Sequence, residues 1–146
     1  MSATESPKYP YETHLDIRYP ALTTVDVPAL VAAVTHPWYN QTLCQVNDSV
    51  IRLGVMQGEY HWHKHDKDDE FFFVLEGHFI IDLEDRSVDL QPLEGFVVPR
   101  GVVHRTRAPD RAVILMAETS PSRRPAIPDA TLPVSPADSR ERRGTR

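Results

Sequence analysis

From Gln41 to about Glu118 the chain alternates apolar and polar residues with a period of two, and this long run limits what it can fold into. A period of two puts successive side chains on opposite faces of an extended strand, whereas a helix needs a period near 3.6. Short turn signals cut the run at Asn47-Asp48, Gln57-Gly58, Glu76-Gly77, Glu84-Asp85, Pro92 and Pro109-Asp110. These residues tolerate left-handed backbone or remove an amide donor. The strands so delimited are 41–46, 49–56, 59–65, 70–75, 78–83, 86–90, 95–98, 103–107 and 111–118. Many short, evenly spaced strands with no helical pattern between them predict an all-β sandwich or small barrel.

The flanks read differently. Residues 1–20 hold three prolines and no sustained period, which predicts an extended arm with one short strand around His14 to Tyr19. Tyr9, Tyr11, Leu15, Ile17 and Tyr19 make this arm more apolar than a free tail needs. Val25 to Val34 predicts a short helix: Asp26 can cap it, Pro28 suits its first turn, and Val27, Leu30, Val31 and Val34 form an apolar stripe. The helix should end before His36-Pro37, because proline disfavours helical backbone in the residue before it. The expected layout is an arm and helix over 1–38, a β domain over 39–118, and a disordered Pro- and Arg-rich tail over 119–146.

Composition narrows the function classes. The longest apolar run is far too short to span a membrane, and the opening Met-Ser-Ala-Thr-Glu-Ser-Pro has neither a basic nor an apolar leader region. The single cysteine, Cys44, excludes an internal disulfide, fits a reducing compartment, and is expected to pack as a small hydrophobe. A cytoplasmic location is therefore expected. The net charge is −5, with +3 on the tail from Thr119 and about −8 on the rest, which argues against nucleic acid as a partner. No G-x-S-x-G elbow or phosphate-cradling glycine loop is present.

The chemistry concentrates in His61-Trp62-His63-Lys64-His65, followed by an acidic loop that ends at Glu70. On a strand over 59–65, His61, His63 and His65 would share one face, with His63 and His65 about 7 Å apart along the backbone at roughly 3.3 Å per residue. Glu70 stands at the mouth of a strand that is apolar on both faces, where an unpaired carboxylate would be costly and where another layer or subunit is expected to cover the outside. His104 follows Pro99-Arg100-Gly101-Val102-Val103 and offers a further imidazole. Imidazoles with a carboxylate suit a divalent transition metal better than calcium, so His63, His65, Glu70 and His104 are the candidate ligands.

These residues resemble the motifs of the cupin superfamily, in particular its compact single-domain bacterial members. His63-x-His65, four residues, Glu70, six residues and Gly77 match the first motif, G-x(5)-H-x-H-x(4)-E-x(6)-G, although Gly58 stands four residues before His63 and not five. Pro99-x-Gly101-x-x-His104 matches the second half of G-x(5)-P-x-G-x-x-H. Leu93 replaces the glycine that opens that motif, with Gly95 expected to take over the turn, and Ala108 replaces its closing asparagine. The resemblance implies a jelly-roll barrel, or double-stranded β-helix, over the β region. It also implies one divalent transition metal (Fe, Mn, Zn or Ni) held by His63, His65, Glu70 and His104, and a homodimer.

The expected function is that of a small-molecule metalloenzyme, an oxygenase or an isomerase or lyase using the metal as a Lewis acid, with His61 and Glu70 as candidate catalytic groups. Alternatives are a sugar-phosphate enzyme of the mannose-6-phosphate isomerase type and a non-catalytic ligand-binding protein. Phe72, Phe79, Met56 and Phe96 are expected on the inner face, which suits an organic ligand with apolar surface. Arg52, Arg100 and Arg105 are candidates to meet a carboxylate or phosphate, with a solvated rim as their expected place.

Overall fold

A computed structural model describes residues 11–120; residues 1–10 and 121–146, and with them the expected disorder of the tail, lie outside the described residues. The elements are β1 (Glu12–His14), α1 (Val27–Ala33), β2 (Trp38–Val46), β3 (Ser49–Glu59), β4 (Glu70–Glu76), β5 (Phe79–Leu83), β6 (Ser87–Leu90), β7 (Gly95–Val98) and β8 (His104–Thr119). Strand order is β1-β2-β3-β8-β4-β7, with β5 bound to both β6 and β8. One edge of β8 pairs with β3 along nearly its whole length. Its other edge pairs with β4 through Val113–Ala117 and with β5 through His104–Arg107. One strand thus serves both layers of a jelly-roll barrel.

Three expectations about strands need correction, the first being the arm strand, which spans Glu12–His14 and not His14 to Tyr19. Segments 103–107 and 111–118 are the single strand β8, and Pro109-Asp110 does not divide them. Pro109, Asp110 and Arg111 are exposed and lie beside a register shift in β3 between Met56 and Gly58. The missing proline amide therefore falls where the ladder is already interrupted. Nor is there a strand over 59–65: β3 ends at Glu59, and beyond it only His63 forms a bridge, to His104.

The apolar alternation fills two cores. Trp38, Met56, Phe72, Val74, Phe79, Ile81, Ile114 and Met116 pack inside the barrel. Leu43, Leu53, Val55 and Val113 face outward and are covered by Leu30 of α1, with Val27, Val31 and Val34 packed alongside. The helix starts as expected, with the Asp26 carboxylate accepting from the Ala29 amide at 3.1 Å and Pro28 in the first turn. Cys44, half-buried, packs against this outer core. Leu75 of β4 shares that cover, whereas Phe71 on the same strand is 38% exposed. The described part of the arm packs on its own barrel: β1 pairs parallel to β2, and Arg18 and Tyr19 donate backbone bonds to Thr42 and Leu43.

An ionic clamp fastens β5 to the start of β8. The buried Asp82 carboxylate accepts from Ser87 Oγ at 2.6 Å, Arg105 Nε at 2.8 Å and Arg107 Nε at 2.8 Å. Burial acts to raise this carboxyl, but hydrogen bonds from Arg107, Ser87 and Arg105 hold it well below the usual carboxylate range. A depressed carboxyl gives stability that is complete above its unfolded value near 4 and is lost as pH falls toward its folded value. We expect Asp82→Asn to cost about 2 kcal/mol at pH 7, with the gap to the native protein narrowing progressively as pH falls below about 4 in urea titrations. A gap independent of pH would contradict the clamp.

Leu93 sits in left-handed backbone, at φ +70°, in the turn before β7, so the turn is made by Leu93 itself and not by Gly95. Gly95 serves packing instead, since a Cβ there would lie 2.8 Å from the Phe71 ring. Left-handed backbone strains a non-glycine residue by about 1–2 kcal/mol, and the Leu93 side chain is exposed. Leu93→Gly should therefore stabilise the fold, by about 0.5–1 kcal/mol after glycine's added unfolded-state entropy. Chemical denaturation tests this, and a loss of stability would refute it.

Candidate metal centre

Two segments meet at one end of the barrel. The His63 amide donates to the His104 carbonyl and the His104 amide donates to the His63 carbonyl, both at 2.9 Å. Such a reciprocal antiparallel pair puts both side chains on the same side of the ladder, and the two imidazoles lie 4.3 Å apart, centroid to centroid. Further ties fix the segment: Tyr60 N donates to Thr106 O, Gly101 N to His65 O, and Arg100 N to Asp69 Oδ1. The turn into β8 is a Pro99–Val102 turn in which Gly101 takes φ +82°, backbone that favours glycine.

This pairing also explains why His61 leaves the face predicted for it. Tyr60 bonds Thr106 and His63 bonds His104, so three steps on one side match two on the other. The extra residue breaks the alternation. Tyr60, not His61, consequently lines the cavity beside His63 and His65. The His61 ring stacks on Tyr60 with centroids 4.2 Å apart, and its backbone carbonyl accepts from His63 Nδ1 at 2.9 Å.

The four other residues converge as expected. One ligand atom from each of His63, His65, Glu70 and His104 lies within 4.8 Å of all the others. Glu70 Oε1 is 3.0 Å from His65 Nε2 and 3.8 Å from His104 Nε2. His63 and His104 each turn Nδ1 toward a backbone oxygen, of His61 and Val102 respectively, which leaves Nε2 for the centre. His104 Nε2 is fully buried and has no hydrogen-bond partner. Burial, together with His104 and His65, lowers His63 to about 3, so its ring is neutral near pH 7. Burial works against ionised Glu70, but contacts with His104 and His65 outweigh it and hold the carboxyl well below its ordinary value.

Three imidazole nitrogens and one carboxylate, enclosed and aimed at a common point, fit a divalent transition ion. The orphaned His104 nitrogen and the buried Glu70 carboxylate are groups that such an ion would satisfy. The centre opens on a cavity of about 260 Å³ whose other walls include Trp38, Met56, Phe72 and Met116. Phe79 is fully buried in the core behind it, and Phe96 is partly buried against the same core. Burial, followed by Tyr11 and Glu70, raises Tyr60 to about 12, so its phenol stays protonated.

Of the three candidate arginines, Arg100 is exposed and Arg105 is engaged by Asp82 and by Glu59 at 3.2 Å. Arg52 corrects the expectation of a rim position: it is 5% exposed and lines the cavity. Tyr60 and Arg52 are the cavity residues that sequence reasoning undervalued. The register of β3 was the available signal for Arg52, since it shares an inward period with Val50, Gly54 and Met56.

Comparison with known proteins agrees with this architecture. The cupin domain model matches residues 50–118. The uncharacterized protein YdbB of Bacillus subtilis is 41% identical over 91 residues, spanning 62% of this chain and 80% of that protein. A cupin-2 domain containing protein from Shewanella frigidimarina has a solved structure with TM-score 0.62 and 29% identity, covering 65% of this chain and 93% of that one. A solved Neisseria meningitidis protein gives TM-score 0.60 and 28% identity over 66% of this chain and 99% of its own. Motif order, barrel and relatives agree, and this chain belongs to the cupin superfamily.

Proposed function

We propose that this cupin is a small-molecule metalloenzyme in which His63, His65, Glu70 and His104 hold one divalent transition ion at the end of the barrel cavity. The observation that carries the reading is the convergence of four donor atoms within 4.8 Å, one of them a buried imidazole nitrogen whose nearest acceptor, Glu70, lies beyond hydrogen-bond distance at 3.8 Å. When bound, such an ion supplies Lewis acidity to a substrate oxygen and, if it is iron, an affinity for dioxygen. The chain's own residues do the rest. Trp38, Met56, Phe72 and Met116 exclude water and receive an apolar body, and Tyr60 keeps its phenol protonated at the wall. His61 is a positioning residue, acting through the backbone oxygen that sets the His63 tautomer.

An oxygenase and an isomerase or lyase both fit this site. A sugar-phosphate enzyme fits less well: among the described residues lining the cavity Arg52 is the one Lys or Arg, beside Glu70 and Glu118, and a phosphate dianion needs several converging donors. A non-catalytic binder would use the same cavity without turnover.

Metal analysis of protein purified without chelators tests the reading. Near one equivalent of a transition metal is expected, with iron directing the substrate search to oxidation and zinc, manganese or nickel to Lewis-acid chemistry. His65→Ala should abolish stoichiometric metal. His61→Ala should keep most of it, because alanine retains the carbonyl that meets His63. No metal after reconstitution, or loss in His61→Ala with retention in His65→Ala, would overturn the assignment.

A further inference from the structure

We propose that the Tyr60 hydroxyl donates a hydrogen bond to the molecule held at the metal centre, so that Tyr60 selects ligands whose metal-binding atom keeps a free lone pair. This deepens the reading above and rests on it for the metal. Tyr60 directly follows the end of β3, and its amide bond to Thr106 fixes it three residues before His63. The Tyr60 and His63 rings form a T-shaped pair with centroids 5.0 Å apart. Tyr11, His61 and Trp38 pack around the same phenol at 4.4, 4.2 and 5.8 Å, centroid to centroid. These contacts hold the ring in one orientation, and a donor fixed in advance loses little entropy when a ligand arrives.

Tyr60 lines the cavity together with His63, His65 and Glu70. Burial first, then the charges of Tyr11, Glu70, Arg52 and Glu118, act on its phenol, and the last three are cavity residues of β4, β3 and β8. The hydroxyl therefore lies on the cavity side of the ring. Among the described residues it has no hydrogen-bond partner. Arg52 and Asn40, further along the cavity, already donate to protein oxygens. An ordinary phenol is protonated at neutral pH, so this group is a donor without any perturbation. Set beside Trp38, Met56 and Phe72, it is a polar group that a ligand acceptor would satisfy. A ligand atom that binds a metal through its only lone pair has nothing to offer the hydroxyl, whereas a metal-bound oxygen keeps a further pair. Because the donor is neutral, the ligand class is an uncharged oxygen donor, such as a carbonyl or an N-oxide, on an apolar body.

Titration of cobalt-loaded native protein and of cobalt-loaded Tyr60→Phe with pyridine N-oxide and with pyridine, followed in the visible cobalt bands, tests this. Pyridine N-oxide binds through an oxygen with lone pairs to spare, and pyridine through its only nitrogen pair. Tyr60→Phe should weaken the N-oxide about 5-fold, the worth of one neutral hydrogen bond, and leave pyridine affinity and cobalt content unchanged. The variant keeps the packed ring and loses a hydroxyl that meets no described protein group, so its urea midpoint should equal or exceed that of native protein. Unchanged N-oxide affinity, an equal loss for both probes, or no N-oxide binding by native cobalt protein would overturn the proposal. So would a less stable variant, or one that alone loses cobalt, since the hydroxyl would then serve the fold. Native protein that takes up no cobalt would overturn the metal reading and this proposal with it, and cobalt content separates that case from the others.

Discussion

The reciprocal pair of backbone hydrogen bonds between His63 and His104 is the contact on which the candidate centre depends. It joins a segment that has left the sheet to the first residue of its longest strand. Without it, the stretch from Tyr60 to Asp69 has few ladder bonds, and three imidazoles would have no common direction. With it, the antiparallel geometry brings two rings to one side, and the flanking ties at Tyr60, His65 and Asp69 carry the third ring and Glu70 to the same point. The donors are thereby placed largely by main-chain bonds, to which the Asp69 carboxylate adds a side-chain tie.

Around that contact the fold settles its buried charges in different ways. Asp82 is matched within the protein by Ser87, Arg105 and Arg107, and the match secures the residues that follow His104 along β8. Glu70 is met only by imidazoles, one of them lowered to a neutral ring by burial and by its fellow histidines. The first arrangement is complete without a ligand. The second is a buried carboxylate among imidazoles, which a divalent ion completes.

Much of this was legible in the sequence because local rules and tertiary structure agree there. Asp26 and Pro28 mark a helix start that the structure keeps, and the period-two run becomes a barrel wall with one apolar face inside and another under α1. The four converging residues follow from motif spacing. Misreadings occur where tertiary pairing overrides a local signal. Pro109-Asp110 reads as a turn but lies in a bulge of one strand, where Pro109, Asp110 and Arg111 of β8 stand opposite Gln57 alone of β3. His61 reads as a partner of His63 until the extra residue between Tyr60 and His63 turns it aside. Arg52 reads as a rim residue because charge suggests solvent, while its strand period points inward. Leu93 adopts the left-handed backbone for which the motif ordinarily uses glycine, so the turn is specified by its surroundings and not by its own preference.

The central claim is that these four side chains form one enclosed metal site. Anomalous diffraction at a transition-metal edge, from crystals of metal-loaded protein, tests it most directly. The account predicts a single strong peak bounded by Nε2 of His63, His65 and His104 and by the Glu70 carboxylate. No peak there, or a peak elsewhere with these four residues uncoordinated, would contradict it.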